Sequence, residues 1–172
     1  MPRPRVTLIA AVSADGFISA GRGVPWDLPR DKAHFRAATQ GHWLLLGRIT
    51  YGEMLGWFRP DQHPLVLTYE PQPTPPVGEA VPSVEKAIQK TEAGGAGELM
   101  VLGGGGAFAA AMPWADRLVI THVDSLVGEG VAFPPIRPGE WAEVERLEHP
   151  PDAENAIAMV FSTYERREKH RG

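Results

Sequence analysis

Residues 99–108 read Leu-Met-Val-Leu-Gly-Gly-Gly-Gly-Ala-Phe, an apolar run that passes through four glycines into a short helical segment. The apolar run predicts a strand covered on both faces of a sheet. A strand, a glycine turn and a helix in this order are typical of an α/β fold. Glycine backbone at a helix start lets a phosphate approach closely, although a plain tight turn explains the glycines equally well.

The rest of the chain continues this alternation of strands and helices. Apolar runs predict strands over residues 6–12, 43–46, 65–68, 98–102 and 117–123. Helical patterns cover residues 31–39, 50–55, 83–93 and 107–112, and Ser83 is a suitable N-cap. Residues 141–147 and 156–164 alternate as a closing antiparallel pair. This order predicts a mostly parallel sheet with helices on both faces and an antiparallel strand at its C-terminal edge.

Two long connections interrupt the pattern without dividing the chain. Residues 13–29 form a glycine-containing loop, and residues 71–82 contain five prolines, which predicts an extended surface connection. The flanks of the proline-rich stretch are short, so we predict one domain over residues 1–172. Its ordered core spans residues 6–166, and a basic, solvated tail follows at 167–172.

Composition excludes several classes of protein. Among 172 residues, 17 Lys and Arg stand against 21 Asp and Glu, so the net charge of −4 gives no sign of nucleic-acid binding. The chain has no cysteine, which excludes disulfides and thiol chemistry. No apolar stretch approaches the roughly 20 residues of a membrane helix. We therefore expect a cytoplasmic protein that binds neither membrane nor nucleic acid.

Known catalytic motifs are also missing from the sequence. The six histidines show no ligand spacing of the H-E-x-x-H kind, so no metal site is predicted. No G-x-S-x-G nucleophile elbow occurs. The glycine run departs from the G-x-G-x-x-G fingerprint, because Phe108 stands at its last position, and no P-loop lysine follows.

Residues 23–31 read Gly-Val-Pro-Trp-Asp-Leu-Pro-Arg-Asp and lead into a helix that contains Phe35. The prolines fix the backbone before the helix, and Asp31 falls in the first turn, where a carboxylate is favoured. Phe35 lies four residues later and shares a helical face with Asp31. An acid and an aromatic ring so placed could hold a flat heterocycle, or Asp31 could cap the helix while Phe35 fills the core.

Residues 44–50 read Leu-Leu-Leu-Gly-Arg-Ile-Thr, so a strand ends in Gly-Arg at a helix start. Arg48 could clamp a phosphate through two hydrogen bonds, or it could be an ordinary surface arginine.

In order and spacing, these segments resemble the dihydrofolate reductase family over nearly the whole chain, from Val6 to Arg166. The matching pieces are residues 8–11 (Leu-Ile-Ala-Ala), 25–31, 47–50, 101–105, 121–124 (Thr-His-Val-Asp) and 133–134 (Phe-Pro). The W-x-L-P-x-D pattern within residues 26–31 is the most specific of them.

The resemblance implies a fold and a reaction. The fold would be a dihydrofolate reductase-like three-layer α/β structure with an eight-stranded, mostly parallel sheet and four helices. The reaction would be the NADPH-dependent reduction of 7,8-dihydrofolate to tetrahydrofolate, with hydride transfer to pterin C6 and protonation at N5. The protein would be a monomer or a weak homodimer, and its partner would be a small pterin substrate.

The resemblance also implies roles for particular residues. Asp31 would bind the pterin 2-amino group and N3 with support from Thr121, and Trp26 would hold a water beside that carboxylate. Other substrate contacts would come from Ile9, Ala10, Ala11, Leu28, Lys32, Phe35, Arg36, Met54, Arg59 and Leu102. Cofactor contacts would come from Ala11, Ile18, Gly47, Arg48, Ile49, Thr50, Thr68, Tyr69, Gly103, Gly104, Gly105, Gly106, Ala107 and Phe108. A loop within residues 13–29 would close over the nicotinamide, and the Gly103–Gly104 peptide would be cis.

Several positions depart from the family pattern. The family's arginine for the folate α-carboxylate would fall near Gln62, and Arg59 or Arg36 could replace it. Tyr69 and Gly106 stand where cofactor-phosphate contacts are usual, which leaves Arg48 as the main argument for NADPH.

Two other functions fit the same resemblance. One is a reductase of this fold that acts on another heterocycle, such as the ribosylaminopyrimidine of riboflavin synthesis; it would need a basic site for a ribose phosphate. The other is a folate- or nucleotide-binding homologue without turnover.

Overall fold

An eight-stranded sheet organises the structure, a computed structural model that describes residues 3–19, 26–69 and 75–167. The ten strands are β1 (Arg5–Ser13), β2 (Phe17–Ser19), β3 (Trp43–Gly47), β4 (His63–Leu67), β5 (Glu79–Val81), β6 (Glu98–Gly103), β7 (Arg117–Val123), β8 (Val131–Ala132), β9 (Trp141–His149) and β10 (Met159–Arg166). The helices are α1 (Pro29–Thr39), α2 (Arg48–Glu53), α3 (Val84–Ala93) and α4 (Gly105–Ala111), and a 3₁₀ turn follows at Met112–Trp114.

The main sheet has the order β5-β4-β3-β6-β1-β7-β10-β9, and β2 pairs separately with β8. All pairs from β5 to β7 are parallel, while β10 runs antiparallel to both β7 and β9. The predicted mostly parallel sheet, its antiparallel C-terminal edge and the four helices are confirmed.

Alternating side chains divide the core into two layers, as expected for strands buried on both faces. On β3, Leu45 packs with the side chains of α3 and α4, whereas Leu44 and Leu46 pack on the other face with Tyr51 of α2 and Phe35 of α1. The sheet therefore lies between two helical layers, with α1 and α2 on one side and α3 and α4 on the other.

The structure differs from the sequence-based boundaries in a few places. Helices α1, α2 and α4 begin two residues earlier than predicted, because Pro29 is compatible with a first helical turn and glycine is tolerated at Gly105. The proline-rich stretch contains the edge strand β5, which Gly78 enters with a positive φ of 83°. A Cβ at Gly78 would collide with the carbonyl oxygen of Pro64, so only glycine fits this approach.

Some predicted features lie outside the described residues. They are residues 20–25 of the loop before α1, residues 70–74 of the proline-rich stretch and residues 168–172 of the basic tail. Arg167, at the start of that tail, donates from Nε to the carbonyl of Pro138 at 2.8 Å.

Candidate active site

A cleft opens at the carboxyl end of the sheet, where β1 and β6 separate. Their pairing ends at Leu8 and Val101, whereas β1 continues to pair with β7 as far as Ser13 and Val123. Residues 9–11 of β1 and residues 102–103 of β6 therefore face each other without a ladder between them. In open α/β sheets, ligands bind in crevices of this kind.

Asp31 stands beside this cleft on α1. Its Oδ1 accepts a hydrogen bond of 2.6 Å from the hydroxyl of Thr121 on β7, and Thr121 is the register partner of Ala11 on β1. Burial raises the pKa of the Asp31 carboxyl, while the Thr121 hydrogen bond and the nearby His34 act to lower it. The structure thus places one partly buried carboxyl group next to the first strand of the cleft.

The N-terminus of α1 is held by a residue that the sequence analysis missed. Leu28 occupies the N-cap position and has no side chain that can cap the helix. The buried Asn155, in the loop between β9 and β10, supplies the acceptor instead: its Oδ1 receives the Arg30 amide at 3.0 Å. Asn155 is in turn fixed by two hydrogen bonds from its side-chain amide to Asp152. This contact spans 125 positions, so no local sequence signal could have revealed it.

Four of the predicted substrate contacts share one apolar cluster on the α1 side of the sheet. They are Ile9, Phe35, Met54 and Leu102. Trp57 joins them, with its ring centroid 5.4 Å from that of Phe35. The sequence analysis missed Trp57, although the adjacent aromatic residues Trp57 and Phe58 shortly after α2 are a signal for an apolar binding surface. We call the surface formed by Phe35, Met54 and Trp57 the Phe35 wall.

A second apolar cluster packs at the start of α1. Trp26 and Leu28 are buried with Val123, and Ala11 packs against them. Ala10 points to the opposite face of the sheet and packs against the core near α4. The three predicted residues of β1 therefore share the cleft edge through their backbone, while their side chains alternate between layers.

Two arginines lie close together at the end of the Phe35 wall. The guanidinium of Arg36 lies 3.9 Å from the centroid of the Trp57 ring and donates to the Trp57 carbonyl at 2.8 Å. Burial lowers the pKa of Arg36, and the like charge of Arg59 lowers it further. Both cations therefore lie near one another, which makes them a candidate site for an anion.

Gln62 stands where the family's arginine was expected, and it has a structural role. Its side chain is only 4% exposed. Its Oε1 accepts from the Arg59 amide at 2.8 Å and its Nε2 donates to the Thr39 carbonyl at 3.1 Å. Gln62 thereby ties the segment that carries Arg59 to the end of α1. Lys32, by contrast, is exposed and pairs with Asp27 at 2.6 Å.

The glycines of β3 and β6 bring two helix starts together. A Cβ on Gly104 would lie 3.0 Å from Oγ1 of Thr50, and one on Gly47 would lie 3.5 Å from the Gly104 amide. Gly103 has a φ of 134°, and the Gly103–Gly104 peptide is cis, as the resemblance implied. This arrangement leaves a surface of backbone amides and the Thr50 hydroxyl that side chains would otherwise cover, as a phosphate-binding cradle requires.

The flank of this cradle carries Arg48 and two exposed side chains. Arg48 is exposed and forms no ion pair with any carboxylate in the described part of the chain. Gly47 and Leu67 are register partners at the ends of β3 and β4; Ile49 follows in the first turn of α2, and Tyr69 follows β4. Ile49 is 73% exposed and Tyr69 is 76% exposed. Thr68, between Leu67 and Tyr69, donates its amide to the carbonyl of Val81 at 3.0 Å.

The remaining predicted cofactor residues lie around α4 and β2. Gly105 begins α4, and a Cβ there would collide with the Val131 side chain. Gly106 is exposed with open space at its Cβ, whereas Ala107 and Phe108 are buried in the core. Ile18 packs partly buried against the same core.

The start of the first loop is tied to the loop after β7. The Asp15 carboxylate accepts from the Ser13 hydroxyl at 2.6 Å and from the amides of Val127 and Gly128 at 3.0 and 2.8 Å. These hydrogen bonds, above all the one from Ser13, lower the pKa of Asp15 to about 2. The tie was not predicted, because it joins residues that are 112 positions apart.

Within residues 3–19, 26–69 and 75–167, no helix is both long and apolar enough to cross a membrane. The same residues contain no cluster of three or more histidines and carboxylates able to hold a metal ion.

Comparisons with known proteins agree with this geometry. A profile of the family described as Dihydrofolate reductase matches residues 5–166. The chain is 35% identical over 162 residues to the dihydrofolate reductase type 3 of Salmonella typhimurium, covering 94% of this chain and 98% of that protein. It is 36% identical over 140 residues to the dihydrofolate reductase of Mycobacterium tuberculosis H37Rv, covering 79% and 83% of the two chains. A solved dihydrofolate reductase from Enterococcus faecalis, complexed with NADP(H) and RAB-propyl, superimposes with a TM-score of 0.86 at 27% identity, covering 95% and 97%.

Proposed function

The chain belongs to the dihydrofolate reductase family, whose reaction reduces 7,8-dihydrofolate to tetrahydrofolate, and we propose NADPH as its hydride donor and Asp31 as the group that binds the substrate ring. The observation that carries the proposal is the Asp31 carboxyl group, partly buried beside the cleft and bonded to Thr121 at 2.6 Å. The family also supports a cytoplasmic protein that is a monomer or a weak homodimer.

Asp31 stabilises positive charge on the substrate ring. Protonation of N5 makes the pterin ring cationic and C6 electrophilic toward hydride, and a preorganised carboxylate in a site of low polarity favours that positive charge. The carboxylate binds the 2-amino group and N3, so the proton for N5 arrives through water. Trp26 and Leu28, buried just before the helical turn that carries Asp31, limit the access of bulk water to these contacts.

The Phe35 wall holds the flat pterin ring of the substrate in place. Phe35 and Met54 pack against one face of the substrate, and the backbone of residues 9–11 and Leu102 borders its edge. Their role is positional: two planar molecules must lie in contact for hydride transfer. Arg36 and Arg59 lie at the outer end of this wall, where they bind the carboxylate tail of the substrate in place of an arginine at position 62.

The residues that would hold the cofactor lie along the other side of the cleft. When bound, NADPH supplies the hydride from C4 of its nicotinamide. The amides at Gly103–Gly106 and the Thr50 hydroxyl bind the phosphates, with Gly47 leaving room for them. Arg48 binds the 2′-phosphate, and Thr68 and Tyr69 border the adenosine from the neighbouring strand.

Oxidation of NADPH, followed in the presence of dihydrofolate, tests the proposal. We expect saturable turnover, and a smaller kcat/KM with NADH than with NADPH. A ribosylaminopyrimidine should not be reduced. Background rates with dihydrofolate but turnover of the pyrimidine would replace this function with the riboflavin-type alternative. Binding of NADPH without turnover of either substrate would indicate a homologue that has lost catalysis.

A further inference from the structure

A groove lies on the far side of α1 from the cleft. Its volume is about 790 Å³, and it separates α1 from strands β7, β9 and β10. Its apolar lining residues include Val119, Leu147 and Phe161. None of the residues assigned above to substrate or cofactor lines this groove. His34 does, one helical turn after Asp31.

His34 occupies a defined position relative to the active-site carboxyl group. Its ring packs on Phe161 of β10, with 4.5 Å between centroids. Phe161 is the register partner of Thr121, the residue that donates its hydroxyl to Asp31. Asp31 and His34 thus contact two neighbouring strands, and residues three apart on a helix lie side by side. The Nε2 of His34 is buried and has no hydrogen-bond partner among the described residues.

We propose that His34 is a positioning residue for Asp31: the imidazole and the carboxyl group, one helical turn apart, titrate as a coupled pair, and positive charge on His34 extends the ionised range of Asp31 to lower pH. The groove gives His34 its route to solvent protons, whereas Asp31 faces the cleft on the other side of the helix turn. This arrangement lets His34, a group that does not contact the substrate, influence the ionisation of the carboxylate that does.

The electrostatics of the two residues support the coupling. Burial raises the pKa of Asp31 and the charge of His34 lowers it; burial lowers the pKa of His34 and the charge of Asp31 raises it. Burial is the largest effect on both groups and favours their neutral forms, and the charge of each group partly offsets that effect on the other.

The remaining charged groups around the groove are paired elsewhere or lie on β9. Arg30 and His149 each approach Asp152, at 3.8 and 3.9 Å, and Arg146 pairs with Glu143 and Glu148. Glu145 lines the groove from β9. Asp31 is the charged group that acts on the pKa of His34. Asp31 and His34 therefore form the pair to be tested.

Nuclear magnetic resonance titration of the full chain without substrate tests the coupling directly. Following the His34 ring and the Asp31 carboxyl carbon, we expect D31N to lower the midpoint of His34 and H34Q to raise that of Asp31. Because the coupling is reciprocal, the two shifts must be equal in size. H149Q, at the groove rim, is the matched control and should leave the Asp31 midpoint unchanged.

A phenylalanine variant, H34F, keeps an aromatic ring against Phe161 and separates charge from packing. Both H34Q and H34F should move the Asp31 midpoint upward, and the acidic limb of kcat/KM should move with it. An unchanged His34 midpoint in D31N, or an unchanged Asp31 midpoint in both His34 variants, would overturn the inference. Only the kinetic part rests on the proposed function; absence of turnover would reject that function and leave the titration result to decide the coupling.

Discussion

The hydroxyl of Thr121 lies 2.6 Å from Oδ1 of Asp31, although the two residues are 90 positions apart in the chain. Thr121 is 2% exposed on a central strand, whereas Asp31 is carried by the first turn of α1. The hydrogen bond therefore couples the position of the helix to the sheet, and it stabilises the ionised carboxylate against the cost of burial.

Replacing Thr121 with valine removes this hydrogen bond while keeping the side-chain shape. Burial raises the pKa of Asp31 and the threonine hydroxyl lowers it, so in T121V the pKa rises and the acidic limb of kcat/KM moves to higher pH. A hydrogen bond to a charged group contributes about 1.5–3 kcal/mol, so activity near neutral pH should fall about tenfold or more. The control is T91V, whose hydroxyl bonds only within α3; its pH profile should match the parent, and an unshifted limb in T121V would contradict the assignment.

Asn155 should support both stability and activity. In N155A the Arg30 amide at the start of α1 loses its acceptor, and loss of a helix cap costs about 0.5–2 kcal/mol. We expect that decrease in the free energy of unfolding, measured with urea, together with a lower kcat because Asp31 lies one residue later. The exposed Glu154 provides the control: E154A should change neither the free energy of unfolding nor kcat. Equal effects of N155A and E154A would refute a capping role for Asn155.

Much of the fold was predictable from local signals. Strands β1, β3, β4 and β6 are nearly continuous apolar runs, and their alternation between the two core layers follows from strand geometry alone. The cleft residues Asp31 and Phe35 were identified because prolines fix the start of α1. Contacts such as Asn155 with Arg30 or Asp15 with Gly128 were not predictable, because they join residues more than a hundred positions apart.

Short pairings were also missed for a physical reason. Strands β2 and β8 contain three and two residues, too few for an alternation pattern to be recognised. Strand β5 lies within the proline-rich stretch, which by composition favours an extended, unpaired connection, and its place at the sheet edge tolerates such neighbours. The role of Gln62 rests on hydrogen bonds from both of its polar groups to the backbone of residues 39 and 59, which its place in the sequence does not reveal.

Arg48 should discriminate between the two nicotinamide cofactors. In R48A we expect KM for NADPH to rise about tenfold or more, since a charged hydrogen bond contributes about 1.5–3 kcal/mol, and KM for NADH to change little. The exposed Arg137, which pairs with Glu140, offers a matched control that removes the same charge elsewhere. Equal increases in KM for NADPH and for NADH would show that Arg48 does not bind the 2′-phosphate.

Arg36 should act on the tail of the substrate and not on its ring. Arginine–carboxylate pairs are charge-assisted and sensitive to salt when partly exposed, so R36A should raise KM for dihydrofolate about tenfold and weaken its dependence on ionic strength. A dihydropterin without a carboxylate tail is the internal control, and its kcat/KM should stay within about twofold of the parent. If both substrates lose activity equally, Arg36 supports the Phe35–Trp57 wall instead of the tail.

The most direct measurement compares kcat/KM for dihydrofolate between D31N and D27N. Both variants remove one carboxylate near the start of α1, but Asp27 is exposed and pairs with Lys32. Loss of a preorganised electrostatic partner of the reacting group costs about 10²–10³ in rate. We predict a decrease of that size for D31N at neutral pH, with thermal unfolding still cooperative, and near-parental activity for D27N. Parental activity in D31N would contradict the claim that this carboxylate binds the substrate ring.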